Sequence, residues 1–97
     1  MYASVITEQV KLDQLDEAAR AWQALFAAAR PQGLQSAYYL QDRQSGEVIV
    51  VGLWATEAAA EGFETSGAFQ HAVRQLEAYL ERAPTRKVYE LAAQVGE

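Results

Sequence analysis

Residues 47–54 read Glu47-Val48-Ile49-Val50-Val51-Gly52-Leu53-Trp54, and this run decides the fold. It is short and rich in β-branched side chains, which marks a strand. Val48, Val50, Gly52 and Trp54 point one way, and Ile49, Val51 and Leu53 point the other. A strand that is apolar on both faces needs cover on both faces. Just upstream, residues 35–42 (Gln-Ser-Ala-Tyr-Tyr-Leu-Gln-Asp) read as a second strand, with Tyr38 and Tyr39 on opposite faces. Arg43-Gln44-Ser45-Gly46 between them is a turn, so the pair forms an antiparallel hairpin.

Working outward, residues 2–10 read as another strand. From Asp13 to Arg30 the apolar positions Leu15, Ala18, Ala19, Trp22, Leu25, Phe26 and Ala29 recur at helical spacing. Asp13 is the expected N-cap, Asp16 and Glu17 suit the first turn and Arg30 the last. Pro31 and Gly33 stop this helix. After the hairpin, Thr56 caps a short helix ending near Gly62, and Ser66 caps the next. The stripe of the latter is Phe69, Ala72, Val73, Leu76, Leu80 and Ala83, and Pro84 ends it. Residues 85–95 alternate, with Tyr89, Leu91, Ala93 and Val95 on one face, and give a fourth strand.

The order strand, helix, strand, strand, helix pair, strand predicts an α+β, ferredoxin-like βαββαβ fold with a four-stranded antiparallel sheet. Its helices cover one sheet face. The second apolar face of residues 47–54 is then left open, and the simplest cover is a second copy, sheet against sheet, as a two-fold homodimer. The other reading is a monomer whose apolar patch binds a ligand or another protein.

The 97 residues make one domain, 1–97. Only 30 apolar side chains are larger than alanine, a lean core that again favours a partner copy. A net charge of −5 repels phosphate backbones and argues against a nucleic-acid partner. No apolar run is long enough for a membrane span. Without cysteine there is neither a disulfide framework nor thiolate chemistry. The first residues lack the basic and apolar regions of a signal peptide, so the expected compartment is the cytoplasm. Abundant Ala, six Arg against two Lys and no Asn suggest a bacterial, GC-rich source.

Candidate chemistry is sparse. The single histidine, His71, lies at the flank of the third helical stripe and could serve as a base near neutral pH. It has no His or Cys companion, so no metal site is expected, and the plainer reading is a boundary residue. Glu57, Glu61 and Glu64 have the spacing of a solvated helix face. Tyr38, Tyr39, Trp54 and Tyr89 lie on strands, and aromatic walls with phenol hydroxyls suit a flat, hydrophobic ligand. Trp22 falls on the core stripe of its helix. Phosphate-cradling loops, dinucleotide fingerprints and nucleophile elbows are absent from the sequence.

The segment from Trp54 onward resembles the antibiotic biosynthesis monooxygenase family of dimeric α+β barrels. Members often show a strand ending in Trp, an acidic Ala-rich stretch, a His, then Ser and Phe before a long helix. Here Trp54, Ser66 and Phe69 hold that register, and Phe63 stands where the His is usual. The resemblance implies a homodimer and a pocket between sheet and helices. It also implies a small cofactor-independent monooxygenase acting on an aromatic or quinone-like molecule, whose own anion supplies electrons to oxygen. Trp54, Tyr38, Tyr39, Tyr89 and Phe63 would be pocket walls and His71 the candidate base. No cofactor is expected. The haem-degrading branch needs a strand Asn that this chain lacks. A non-catalytic binding protein and a purely structural dimer are the alternatives.

Overall fold

The structure is a computed structural model and describes residues 1–29 and 31–96. Its strands are β1 (Tyr2–Gln9), β2 (Leu34–Gln41), β3 (Glu47–Trp54) and β4 (Thr85–Glu90). Its helices are α1 (Leu15–Ala29), α2 (Glu57–Glu64) and α3 (Gly67–Leu76). The four strands form one sheet in the order β2-β3-β1-β4, and every pairing is antiparallel. This is the expected α+β ferredoxin-like arrangement, with β1 and β3 at the centre.

The hairpin is pinned at its turn. Asp42 Oδ1 accepts from the Gln44 and Ser45 backbone N–H groups at 2.8 and 3.4 Å, and these bonds hold its carboxyl below the ordinary carboxylate range. Gly46 closes the turn at φ 80, a conformation that disfavours any side chain, and a Cβ there would strike the Val10 carbonyl. Thr56 and Ser66 cap α2 and α3 as expected, accepting from the Ala59 and Phe69 N–H groups at 3.1 Å each.

Some boundaries differ from the sequence expectation. Asp13 is not a helix cap. It lies inside a 3-10 turn, Leu12–Gln14, that leads into α1, and no side-chain cap precedes that turn. Arg30, expected in the last turn, lies outside the described residues. The helix expected to run on as far as Ala83 ends instead at Leu76, and a 3-10 turn follows over Glu77–Tyr79. The reason is competition for the chain. Leu80 bridges Val10, the Lys11 N–H donates to the Tyr79 carbonyl, and the Glu81 N–H donates to the Gln9 carbonyl. Finally, β4 stops at Glu90 rather than at residue 95. Its neighbour in the sheet is β1, where Glu90 pairs with Tyr2, so past one last bond from Leu91 N–H to the Met1 carbonyl there is no strand left to pair with.

The register sorts the side chains. Ser4, Ile6, Glu8, Ala37, Tyr39, Val48, Val50, Gly52, Trp54, Arg86 and Val88 share the face that the helices cover. On that face Val10, Val48 and Val50 pack with Leu15 and Ala18 of α1 at one end of the core. Trp54, Ala60 and Phe63 pack at the other. The opposite sheet face is uncovered. Tyr38 and Leu40 are each 53% exposed and Tyr89 47%, with Ile49, Val51 and Leu53 half-buried among them.

Candidate functional site

The site lies between the sheet and the helices, where α1 to α3 do not fully close over β1. Aromatic rings line this layer in an unbroken series. Tyr39 meets Trp22 at 5.3 Å between ring centroids, Trp22 meets Phe26 at 5.3 Å, and Phe26 meets Phe63 at 5.7 Å. Phe63 in turn meets Trp54 at 5.4 Å and Phe69 at 5.3 Å. Large flat rings from several elements leave gaps that aliphatic chains would fill.

Two gaps of about 20 Å³ each remain, both touching Ile6, Trp22 and Phe26. One extends toward Glu8, Leu76 and Leu80. The other extends toward Ser4, Trp54, Phe63 and Arg86. A cleft of about 500 Å³ opens between α3 and β4 and shares Ile6, Phe69, Val73, Leu80 and Pro84 with the first gap. The cleft therefore adjoins the first gap, and it borders the second through Ile6 and Arg86. Glu64, Glu77, Glu81 and Arg82 stand on its rim.

Polar groups in this apolar layer are few and individually placed. The Trp54 Nε1–H donates to Ser4 Oγ at 2.9 Å. Gly52 makes room for that bond, since a Cβ there would lie 2.9 Å from Ser4 Oγ and 3.0 Å from Trp54 Nε1. Arg86 enters from β4 with its side chain only 6% exposed. It donates to Glu64 Oε2 at 2.9 Å and to the Ala60 carbonyl at 2.7 Å, and its guanidinium lies 5.6 Å from the centre of the Phe69 ring. Its Nε and the Trp22 Nε1 are buried without a hydrogen-bond partner among the described residues. Glu8 is 9% exposed, and among the described residues its carboxyl makes no hydrogen bond. Burial pushes it up from 4.5 to about 7, and burial together with the charge of Glu8 pushes the Tyr39 phenol up to about 12. Among the described residues no cluster of three His, Cys, Asp or Glu side chains could hold a metal ion.

The profile of the antibiotic biosynthesis monooxygenase family matches residues 1–75, from β1 through most of α3. The chain belongs to that family. Solved structures agree on the fold. A Deinococcus radiodurans protein bearing the same family name superposes with a TM-score of 0.79 at 14% identity, covering 100% of this chain and 98% of its own. Its Nitrosomonas europaea namesake gives 0.78 at 14%, with 96% and 100% covered. SnoaB of Streptomyces nogalater, a cofactor-independent oxygenase solved as a mutant, gives 0.74 at 15%, with 99% and 97% covered. No match is found among curated proteins.

In this family member the sequence-predicted site residues fall on three surfaces. Trp54 and Phe63 meet in the inner layer. Tyr39 lies on the same sheet face and packs on Trp22. Tyr38 and Tyr89 lie on the open sheet face, away from the helices. His71 is exposed on the outer side of α3, in a shallow groove against Leu25 and Ala28 of α1. Sequence reasoning missed Ser4, Glu8, Phe26 and Arg86. For Glu8 a signal was present: it shares strand parity with Ile6 and Val10, so an acid stands in phase with core positions.

Proposed function

We propose that the chain is a small cofactor-independent monooxygenase acting on an electron-rich aromatic molecule held between sheet and helices. The observation that carries this is the aromatic-lined, apolar recess bordering a cleft, in a member of a monooxygenase family. The chemistry asks for a desolvated pocket and an ionisable substrate. For an anthrone-like carbon, the CH₂ group and dioxygen become C=O and water, so the substrate itself supplies the electrons. Phe69, Val73 and Leu80 line the cleft that takes the ring, Trp54 and Phe63 wall the small recess behind it, and Tyr39 packs on Trp22. Oxygen uptake with a panel of anthrones and hydroquinones, without added cofactor, tests this. Uptake of one dioxygen per anthrone with quinone formation is expected. Binding without uptake would replace the oxygenase with a binding protein. Unchanged turnover in His71→Ala takes the histidine out of the mechanism.

The open sheet face supports assembly with a second copy, which would cover Tyr38, Leu40, Val51 and Tyr89. Light scattering should then give about twice 10.7 kDa. Val51 pairs with both Val5 and Tyr38 at the middle of that face, so Val51→Lys should yield a folded monomer. A wild-type monomer at micromolar concentration would defeat the assembly.

A further inference from the structure

The recess nearest Glu8 has an unusual balance of groups. Its volume is about 20 Å³, room for one water-sized group and no ring. Ile6, Phe69, Val73 and Leu80 form part of its largely apolar wall, and these same residues continue outward as the wall of the cleft. Against this apolar wall stand two groups with no hydrogen bond among the described residues: Glu8, 9% exposed, and Trp22, whose indole N–H is buried. The indole N–H is buried and unpaired among the described residues, and the Glu8 carboxylate beside the same cavity keeps only narrow contact with solvent; such a pair is costly unless something bridges it. The complement is a group that donates once and accepts once. A hydroxyl does both. A water could sit there too, but a hydroxyl carried on a ring also places its apolar body in the cleft, which a water cannot use.

Resting on the reading of this cavity as the ligand site, we propose that Glu8 and Trp22 form a receptor for a single aryl hydroxyl, entered from the cleft between α3 and β4. The ring lies in the cleft against Phe69, Val73 and Leu80, and the hydroxyl points inward. The hydroxyl donates to the Glu8 carboxylate and accepts from the Trp22 indole. Glu8 then takes its proton: the aryl O–H bond breaks, its electron pair stays on the aryl oxygen, and a new O–H bond forms on the carboxylate. The product is the substrate anion that oxygenation requires. Of the charged or titratable groups facing Glu8, Tyr39 on β2 senses its charge. Arg86 on β4 is committed to Glu64, and Glu77, Glu81 and Arg82 stand on the outer rim. From α1 the facing group is the neutral Trp22.

The test compares 2-naphthol with its methyl ether, 2-methoxynaphthalene, which fills the cleft but cannot donate. Binding is followed in the wild type, Glu8→Gln and Glu8→Leu by the two indole N–H resonances, since the chain has only two tryptophans. At pH 8 the wild type should bind the naphthol at least about tenfold more tightly than the ether, the worth of a charge-assisted hydrogen bond. One indole resonance should shift with the naphthol alone. The preference should shrink at pH 5.5, where Glu8 is protonated, and vanish in Glu8→Leu. Equal binding of both probes by the wild type, no binding of either, or an undiminished preference in Glu8→Leu would each overturn the receptor. Circular dichroism checks that both variants fold, and Glu8→Gln serves if Glu8→Leu does not. Oxygen uptake is measured on the same samples: naphthol preference without uptake of oxygen with any anthrone or hydroquinone leaves the receptor standing and removes the oxygenase.

Discussion

Phe63→Ala should lower the unfolding free energy by about 3–5 kcal/mol, the range for deleting a buried phenyl ring. Phe63 is 9% exposed, and its ring touches Phe26 of α1, Trp54 of β3 and Phe69 of α3. It is therefore the point where all three helices meet the sheet. An alanine leaves a void that three rings from three elements cannot easily collapse into. A urea titration reads the loss as a fall in midpoint. Phe63→Leu, which keeps most of the volume, should lose less than half as much. A loss below ~1 kcal/mol in Phe63→Ala would mean that the aromatic layer is not the keystone of the core.

Glu8→Gln should make the protein more stable at pH 8 and nearly unchanged at pH 4. Burial raises the Glu8 carboxyl from 4.5 to about 7. Below pH 4.5 it is protonated in both folded and unfolded chains, and no penalty exists. Between 4.5 and 7 the unfolded chain loses the proton first, so stability falls as pH rises. Above 7 both states are ionised and the full cost is present, on the order of 3 kcal/mol for this shift. The stability this group permits is thus complete in acid and lost as pH rises through about 7. Glutamine does not titrate and should flatten that slope. The check is a pair of urea titrations across pH 4–8. An identical pH dependence in both proteins would show that Glu8 is solvated. A protein that tolerates such a cost at neutral pH has a reason to keep the acid, and the aryl-hydroxyl receptor supplies one.

The sequence carried the fold well because each element has a local cause. Thr56 and Ser66 cap their helices from their own first turns, and the hairpin is set by Asp42 and Gly46 beside it. Where local and distant forces compete, the distant ones won. Leu80 has good helical spacing, yet Val10 draws it into a bridge, and Tyr89 to Val95 alternate well, yet β1 offers no partner past Tyr2.

The site was legible only in part. Trp54 and Phe63 were visible through the family register, but parity could not say which of Tyr38 and Tyr39 faces the helices. A strand's two faces are equivalent in sequence until something packs on one of them. The sequence alone determined the element order, the four-stranded sheet and the second apolar face on β3, because period and caps are short-range facts. Only the tertiary structure decided that Glu8, Trp22 and Arg86 from three separate elements share one aromatic-lined layer while His71 stands outside it. Their convergence depends on strand register and helix placement, which are set by contacts between residues far apart in the chain.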